Sequence, residues 1–327
     1  MRILVTGGAG YIGSHTVRLL LSRGHDVWVY DNLSEGHRTA VPADRLIVGD
    51  LAEIPHVDQL VMDRRIEAVI HFAAFTYVGE SVREPGKYYQ NNLVNTLNLM
   101  ECLRHNRVGR FVFSSTAATY GVPQFVPITE DAPQHPINPY GSSKLAVERA
   151  LSDYAAAYGW GFAALRYFNA AGASPDGAIG EDHDPETHLI PLILQAILGR
   201  RPAIEIFGTD YPTPDGTCIR DYIHVDDLAT AHLMALEALQ PGKSAVYNLG
   251  IGRGYSVREV IRAAEEVAGK KCPVKEGPRR PGDPPALVAS SEKIQRELGW
   301  QPHYADIRPI IETAWRWHSS HPRGYND

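Results

Sequence analysis

Several features are scarce in this chain, and each absence argues against a class of protein. The three cysteines, Cys102, Cys218 and Cys272, are widely spaced, without a disulfide framework or metal-ligand spacing. We therefore expect a reducing cytoplasm and no metal site. No apolar run approaches the roughly 18 residues that indicate a membrane span, and the start of the chain enters a strand pattern directly rather than a secretory signal.

Positive charge is also scarce. The formal net charge is −6 and the sequence isoelectric point is about 6.2. No run of Lys or Arg interrupts this acidic balance. Nucleic-acid binding proteins usually carry a basic patch, so we predict no nucleic-acid partner.

What the chain does contain is an alternation of strands and helices. Its 327 residues, 44% hydrophobic and 21% charged, suit one large or two fused globular domains. The alternation predicts an α/β fold, a doubly wound parallel sheet of the Rossmann type with a smaller C-terminal α/β lobe. We place the first domain at residues 1–168, with 216–245 returning to it, and the substrate lobe at 169–327. The strands predicted for the first domain are residues 2–6, 27–30, 45–48, 68–72, 110–115 and 162–167.

A glycine-rich turn follows the first predicted strand. Gly7, Gly10 and Gly13 lie between that strand and a helical pattern, and Asp31 ends the next strand. Such glycines let the backbone approach a pyrophosphate, which the helix N-terminus attracts. A carboxylate at Asp31 would bind the adenosine ribose hydroxyls and repel a 2′-phosphate. The pattern therefore predicts a dinucleotide site that prefers NAD to NADP.

Other candidates stand at the ends of later strands. Asp50 and Leu51 could hold an adenine ring, and the small side chains of Ala73 and Ala74 permit close approach of the cofactor. The fifth strand ends in three hydroxyl residues, 114–116. Ligands of open α/β sheets bind outside the carboxyl ends of the strands, so we expect the site there.

The stretch 138–144 carries the chemistry. Asn138 and Pro139 are typical of the first turn of a helix. Tyr140 and Lys144 then stand four residues apart on one helix face. An ammonium beside a phenol is expected to lower the tyrosine pKa, which would give a proton acceptor for a sugar hydroxyl.

Together these motifs resemble the extended short-chain dehydrogenase/reductases, and among them the UDP-galactose 4-epimerases. The resemblance covers essentially the whole chain and includes Asp31-Asn32, residues 165–169, the unusual run 206–225 and residues 247–250. It implies NAD-dependent, reversible 4-epimerisation of UDP-hexoses through a transient 4-keto sugar. UDP-glucose and UDP-galactose are the expected pair, and UDP-GlcNAc and UDP-GalNAc a further one. The dimer usual in this family is also expected.

The resemblance also implies roles for individual residues. Tyr140 is the acid/base, Lys144 its partner, and Thr116, where the family usually has serine, binds the 4-hydroxyl. The implied cofactor contacts are Gly7, Gly10, Tyr11, Ile12, Gly13, Asp31, Asn32, Asp50, Leu51, Phe72, Ala73, Ala74, Asn92, Ser114, Tyr140, Lys144 and Tyr167. The implied contacts with the UDP-sugar are Thr116, Tyr140, Asn169, His188, Leu189, Phe207, Arg220, Arg280 and Asp283. Thr76 departs from the family, which often has a cofactor-contacting lysine there.

Two other kinds of function remain open: another nucleotide-sugar-modifying enzyme of the same fold, and a non-catalytic NAD-binding protein. A sugar-nucleotide 4,6-dehydratase shares the Tyr/Lys pair but commonly carries Asp-Glu after the strand-end threonine, where this chain has Ala117-Ala118. A UDP-glucuronate decarboxylase would be separated by product analysis. A non-catalytic NAD-binding protein would be expected to lose Tyr140 or Lys144. Leu287, where relatives restricted to unmodified hexoses often have tyrosine, predicts room for an N-acetyl group.

Overall fold

The computed structural model describes residues 1–280 and 283–325. The sequence has a Pro/Gly-rich stretch with two arginines at residues 279–285, and Pro281 and Gly282 of this stretch lie outside the described residues. Within this part the strands are β1 Arg2–Thr6, β2 Asp26–Asp31, β3 Leu46–Val48, β4 Ala68–His71, β5 Arg110–Thr116, β6 Gly161–Tyr167, β7 Asn169–Ala171, β8 Ile204–Phe207, β9 Ile219–His224, β10 Ser244–Leu249, β11 Gly254–Ser256, β12 Val274–Gly277 and β13 Ala286–Leu287. The α-helices are α1 Tyr11–Ser22, α2 Ile54–Asp63, α3 Val78–Arg83, α4 Pro85–Tyr88, α5 Asn95–His105, α6 Pro139–Tyr158, α7 Leu189–Ile197, α8 Val225–Ala238, α9 Val257–Ala268, α10 Glu292–Leu298 and α11 Ile307–Ser320. Among the described residues, no helix combines the length and apolar character that a membrane crossing requires.

A seven-stranded sheet organises the first half of the chain. Its order is β10-β6-β5-β4-β1-β2-β3, and every neighbouring pair is parallel. From β1, the strands β2 and β3 are added on one side and β4, β5 and β6 on the other. This reversal of strand order between β1 and β4 creates the crevice where such sheets bind ligands. The predicted doubly wound parallel sheet is thus confirmed.

Helices cover both faces of this sheet, because its strands are apolar on both sides. Ile3 and Val5 belong to one hydrophobic core, beneath α1 and α8. Leu4 and Phe111 belong to the other core, which also receives side chains from α2, α5 and α6. Burial on both faces explains why these strands read as continuous apolar runs rather than as alternating patterns.

The second lobe is built on smaller sheets. Strand β9 lies between β11 and β13 and also pairs with β7, while β8 pairs with β12. Helices α7, α9 and α11 share a separate hydrophobic core over these strands. The chain returns from this lobe twice to the first sheet: α8 packs against α1, and β10 pairs in parallel with β6.

The spacing of Leu93, Leu97 and Met100 predicts one long helix over residues 88–106, and the structure differs in its first turns. Residues Tyr89–Val94 form a π-helical segment between α4 and α5. The side chain of Asn92 in this segment hydrogen-bonds both backbone groups of Phe75 at 2.9 Å. Single π turns widen a helix locally and are frequent at functional sites. Here the turn connects the helix to the loop that follows β4.

Candidate functional site

The glycine turn between β1 and α1 is held against the sheet on two sides. Gly7 has φ +70°, and a Cβ there would lie 2.4 Å from the backbone nitrogen of Ala73. A Cβ at Gly13 would lie 2.3 Å from the Gly7 carbonyl oxygen. Gly10 is less crowded and precedes α1 without a side-chain cap. The first amides of a twelve-residue helix therefore remain available for an anion.

Asp31, at the end of β2, lies beside this glycine turn. Its carboxylate accepts hydrogen bonds from the backbone amides of Ala9 and Leu33, both at 2.9 Å. Burial raises the pKa of Asp31, and the two amide donors oppose that rise. Nearby, the Asn32 amide donates to Asp50 at 2.8 Å. The fold thus brings together the residues predicted to bind the adenosine half of a dinucleotide.

Three further residues predicted to contact the cofactor have clear structural partners. Leu51 is buried in the core beneath α2 and α5. The ring of Phe72 packs on His232 at 4.7 Å between centroids. Asn92 is occupied by the Phe75 backbone, as described above. Each of these three residues therefore has a structural role within the chain. Their contacts with the cofactor stay predictions.

The start of α6 is built as its sequence predicts. Asn138 caps the helix by accepting a hydrogen bond from Gly141 N at 2.8 Å, and Pro139 occupies the first turn. Tyr140 and Lys144 both face inward and are 8% and 2% exposed. The cap fixes where the helix begins, and therefore where Tyr140 projects relative to the end of β5.

Strand β5 supplies the opposite wall. The Thr116 side chain lies close enough to the Tyr140 phenol to lower its pKa, and its hydroxyl accepts a hydrogen bond from Ala118 N at 3.1 Å. The Lys144 ammonium donates to the Ser114 carbonyl oxygen at 3.0 Å. The Ser114 hydroxyl pairs with the phenol of Tyr167 on β6. The predicted catalytic group is therefore assembled at the carboxyl ends of neighbouring strands.

The electrostatics differ from the sequence-based expectation. Burial raises the pKa of Tyr140 to about 12, and the nearby Thr116 side chain only partly opposes that rise. Burial lowers the pKa of Lys144 to about 7, with Glu148 acting in the other direction. The expectation that Lys144 lowers the Tyr140 pKa is wrong for the chain by itself. Desolvation dominates both groups, and the ammonium is directed to a backbone carbonyl.

A buried ion pair behind α6 was missed by the sequence analysis. The Arg166 Nε on β6 lies 3.0 Å from the Glu148 carboxylate, and both side chains are almost fully buried. Glu148 also accepts from Ser115, and Arg166 donates to the Tyr120 phenol at 2.8 Å. The pair connects α6 to β5 and β6. A signal existed, because Glu148 continues the four-residue spacing of Tyr140 and Lys144.

Two arginines of the second lobe meet at one carboxylate. Asp283 lies 3.5 Å from Arg220 and 3.1 Å from Arg280. The Arg280 guanidinium also lies 4.9 Å from the ring centre of Phe207, which is 37% exposed. The structure therefore gathers four residues predicted to bind the nucleotide diphosphate and base.

The remaining substrate candidates lie in different settings. Asn169 donates to the Asp221 carbonyl oxygen at 2.8 Å. His188 precedes α7, and its Nδ1 lies 2.9 Å from Glu181 and 3.0 Å from Glu186. Although burial alone would lower the pKa of His188, the two carboxylates raise it to about 10. The Nδ1 face of His188 is thus committed to carboxylates, while Leu189 follows as the first residue of α7.

A parallel sheet with a glycine turn, a buried carboxylate at the end of the second strand and a buried Tyr/Thr/Lys group defines a nucleotide-cofactor enzyme of the short-chain dehydrogenase type. A family model for the NAD dependent epimerase/dehydratase family matches residues 3–250. The chain belongs to this family.

Individual relatives agree along the whole chain. The UDP-glucose 4-epimerase of Lacticaseibacillus casei is 53% identical, over 100% of this chain and 99% of the relative. The Brucella ovis UDP-glucose 4-epimerase, solved in complex with NAD, is 50% identical with TM-score 0.92, covering 96% and 97% of the two chains. The Campylobacter jejuni UDP-Glc/GlcNAc 4-epimerase is 45% identical with TM-score 0.85, covering 98% and 99%.

Proposed function

We propose that this chain is a UDP-hexose 4-epimerase that interconverts UDP-glucose and UDP-galactose with NAD as its cofactor. The observation that carries the proposal is the burial of Thr116, Tyr140 and Lys144 together at the carboxyl end of β5, where the Lys144 ammonium is held by the Ser114 carbonyl oxygen. It places a proton acceptor and a hydroxyl-binding group at the ligand-binding edge of the sheet. Full-length identity to UDP-glucose 4-epimerases supports the choice of reaction.

The residues present fit NAD. The glycine turn leaves the helix N-terminus free for the diphosphate, and a Cβ at Gly7 or Gly13 would collide with the backbone. We assign Asp31 to the adenosine ribose and Lys144 to the nicotinamide ribose. When bound, NAD would take up a hydride from the sugar carbon and give it back. Because the cofactor is regenerated, its tight retention is compatible with turnover.

Tyr140 moves the proton of the sugar 4-hydroxyl. We assign to it the acceptance of that proton during oxidation at C4 and its return during reduction. Thr116 would hold the hydroxyl in line. Burial keeps the Tyr140 pKa near 12, so the phenolate is favoured only when positive charge lies beside it. Lys144, four residues further along α6, is the residue of this chain that would supply such charge, and bound NAD would add to it.

Arg220 and Arg280, together with Asn169, are proposed to hold the diphosphate. Guanidinium groups match phosphate oxygens in a bidentate geometry. The Asp283 carboxylate pairs with both arginines in this structure, and a diphosphate would compete with it for the same donors. Phe207 would lie beside the uracil. Gripping the diphosphate while leaving the hexose loose lets the flat 4-keto sugar turn and receive the hydride on its other face.

Leu287 supports a wider choice of sugar. It pairs in register with Arg220, on strands β13 and β9, so it lies beside the proposed diphosphate anchor. Leucine is shorter than tyrosine and has no hydroxyl. We propose that the space left over admits the acetamido group of UDP-GlcNAc and UDP-GalNAc as well as the unmodified pair.

Product analysis tests the reaction. The purified protein is incubated with UDP-glucose, UDP-GlcNAc, UDP-glucuronate and UDP-pentoses, and the products are separated. The C4 epimer of UDP-glucose is expected without net NADH. A 4-keto-6-deoxy product or a decarboxylated pentose would instead identify a dehydratase or a decarboxylase. Ala117-Ala118, in the short 3₁₀ turn after Thr116, supply no acid for such elimination chemistry.

We also propose that the protein is a cytoplasmic homodimer. Its three cysteines are unpaired and buried, as suits a reducing compartment. Helices α5 and α6, with their flanking turns, would supply the interface, and exposed Tyr89, Val94 and Tyr158 lie in these regions. Light scattering coupled to size exclusion measures the mass. A monomer at micromolar concentration would contradict the dimer.

A further inference from the structure

Four metal-ligating side chains converge on the segment between β7 and α7. Glu181, His183, Glu186 and His188 each offer one ligand atom, and these atoms all lie within 4.8 Å of one another. Both imidazoles present Nδ1 to the same two carboxylates. The catalytic chemistry proposed above uses none of the four as an acid or base.

The four separations between imidazole Nδ1 and carboxylate oxygen are compatible with a tetrahedral ion, and the two made by His188 are also of hydrogen-bond length. His183 Nδ1 lies 3.5 Å from Glu181 and 3.7 Å from Glu186, and His188 Nδ1 lies 2.9 and 3.0 Å from the same residues. Zinc bound at about 2.0–2.1 Å by nitrogen and oxygen separates tetrahedral ligand atoms by about 3.3 Å. The observed separations lie on both sides of that value, so small side-chain shifts would complete the site.

His183 provides a separate observation that points to a ligand. Its Nδ1 is fully buried and makes no hydrogen bond within the described residues. A buried polar nitrogen without a partner is destabilising, because it loses water without replacing it. The ring edge is directed at the two carboxylates, and a cation between them would satisfy it.

Charge balance is compatible with a divalent ion. The Glu181 and Glu186 side chains are only 4% and 5% exposed, so two negative charges are removed from water. Buried charges require compensation. Two imidazolium groups supply it in a metal-free cluster, and a single divalent ion with two neutral imidazoles gives the same net charge.

The cluster can be reached from solvent. Glu181 and Glu186 line a cavity of about 280 Å³ that also borders Asp182, Arg200 and Trp317. The Trp317 indole donates to the Glu181 carbonyl oxygen at 3.2 Å and fixes the backbone of that residue. The cluster therefore has both an entry path and support beyond its own side chains, as a metal site requires.

We propose that Glu181, His183, Glu186 and His188 form a structural binding site for a divalent transition-metal ion, with Zn²⁺ as the preferred ion. Two imidazoles and two carboxylates suit zinc and its neighbours, whereas Mg²⁺ and Ca²⁺ favour oxygen ligands alone. The segment is in contact with both lobes: the His183 ring stacks edge-on to Tyr11 of α1, and His188 starts α7. The ion would fix this segment between the cofactor turn and the substrate lobe. The proposal departs from the sequence-based expectation of no metal.

The test is metal binding to tag-free protein that has been stripped with chelator. Calorimetric titration with Zn²⁺ is expected to give one equivalent per chain and to raise the melting temperature, whereas Mg²⁺ should give neither. Substitution with Co²⁺ should produce the intense visible bands of four-coordinate cobalt. Failure to bind one equivalent of Zn²⁺ would overturn the proposal. Weak visible bands of the Co²⁺-substituted protein would also overturn it, because they indicate a six-coordinate ion bound mainly by water.

His183→Gln is the diagnostic variant, with His135→Gln, exposed in the loop before α6, as the matched control. Loss of a ligand should weaken Zn²⁺ binding by more than about 100-fold, since even partners of ligands cost about 10–100-fold. The control should bind like the parent. Equal affinity in His183→Gln and the parent would assign the zinc to other residues. If His183→Gln does not fold, Glu186→Gln and the cobalt spectrum of the parent decide the question by the same criteria.

Discussion

Two arginine–carboxylate groups in this molecule have the same chemistry and opposite surroundings. Behind α6, the helix that carries Tyr140 and Lys144, the side chains of Glu148 and Arg166 are 6% and 5% exposed. At the proposed diphosphate anchor, Arg280 is 59% and Asp283 25% exposed. The first pair is buried in the scaffold and fixes α6 against β5 and β6. The second is open to solvent, so its carboxylate can be exchanged for a substrate phosphate.

The comparison suggests a division of tasks: the buried pair keeps the proposed catalytic residues in a fixed position, and the exposed pair belongs to the proposed substrate site. Proton transfer needs Tyr140 and Thr116 in a constant geometry, which burial and the ion pair behind them provide. In the proposed mechanism the 4-keto sugar rotates in the site between its oxidation and its reduction. This rotation requires that the substrate be bound mainly through its diphosphate. Variants on each side should therefore alter different measured quantities.

The largest expected effect is on stability, from Glu148→Gln. This change leaves the buried Arg166 charge unpaired, so the free energy of unfolding should fall by about 3–5 kcal/mol. Chemical denaturation measures it. Asp210→Asn, which removes the partner of exposed Arg279, is the control and should leave stability unchanged within error. Similar losses in both variants would remove the distinction between the two kinds of pair.

The next largest effect is on turnover, from Tyr140→Phe. The ring stays and the proton acceptor is lost, so kcat should fall by about a hundredfold or more while UDP affinity is retained. Steady-state kinetics and UDP titration measure the two quantities. Thr116→Val removes a hydrogen bond rather than the base and should be milder. If the two variants were equally damaging, Thr116 would carry more of the proton transfer than we assign to it.

On the substrate side, Arg280→Ala should act on KM rather than on kcat. Loss of a charged contact to the diphosphate is expected to raise KM by about 10–100-fold. The neighbouring Arg279 is a matched control, because it pairs with Asp210 and stacks on Tyr211. Arg279→Ala should leave KM near that of the parent. Equal effects of the two substitutions would argue against a specific anchor at Arg280.

The smallest expected effect concerns the choice of sugar. Leu287→Tyr should lower kcat/KM for UDP-GlcNAc relative to UDP-glucose by about tenfold or more, because a filled pocket rejects the extra acetamido group. Both values are measured in the parent and in the variant. Negligible activity of the parent on UDP-GlcNAc, or a tyrosine variant that discriminates no better, would exclude Leu287 as the determinant.

Local sequence patterns predict much of this molecule. The glycine turn, Asp31, the Asn138 cap and the Tyr140/Lys144 spacing are each encoded within a few residues, and the sheet follows from repeated apolar runs. The patterns do not show which distant groups meet. The Glu148–Arg166 pair joins residues 18 positions apart, and strand β10 reaches β6 only after the chain has crossed the second lobe.

Burial is the other quantity that local patterns misjudge. The spacing of Tyr140 and Lys144 suggests a charged neighbour that lowers the tyrosine pKa. Their depth in the fold reverses that direction, because desolvation penalises both charged forms. The cluster around His183 is similar: its residues are close in sequence, but their convergence depends on how the segment folds between the lobes.

The central claim is that one site oxidises and re-reduces the same sugar carbon. It is tested most directly by following UDP-galactose that carries deuterium at C4. The label should remain at C4 of the UDP-glucose formed, and free NADH should not accumulate. Loss of the label to solvent or to free cofactor, or NADH formed in proportion to substrate with no UDP-glucose, would contradict the claim.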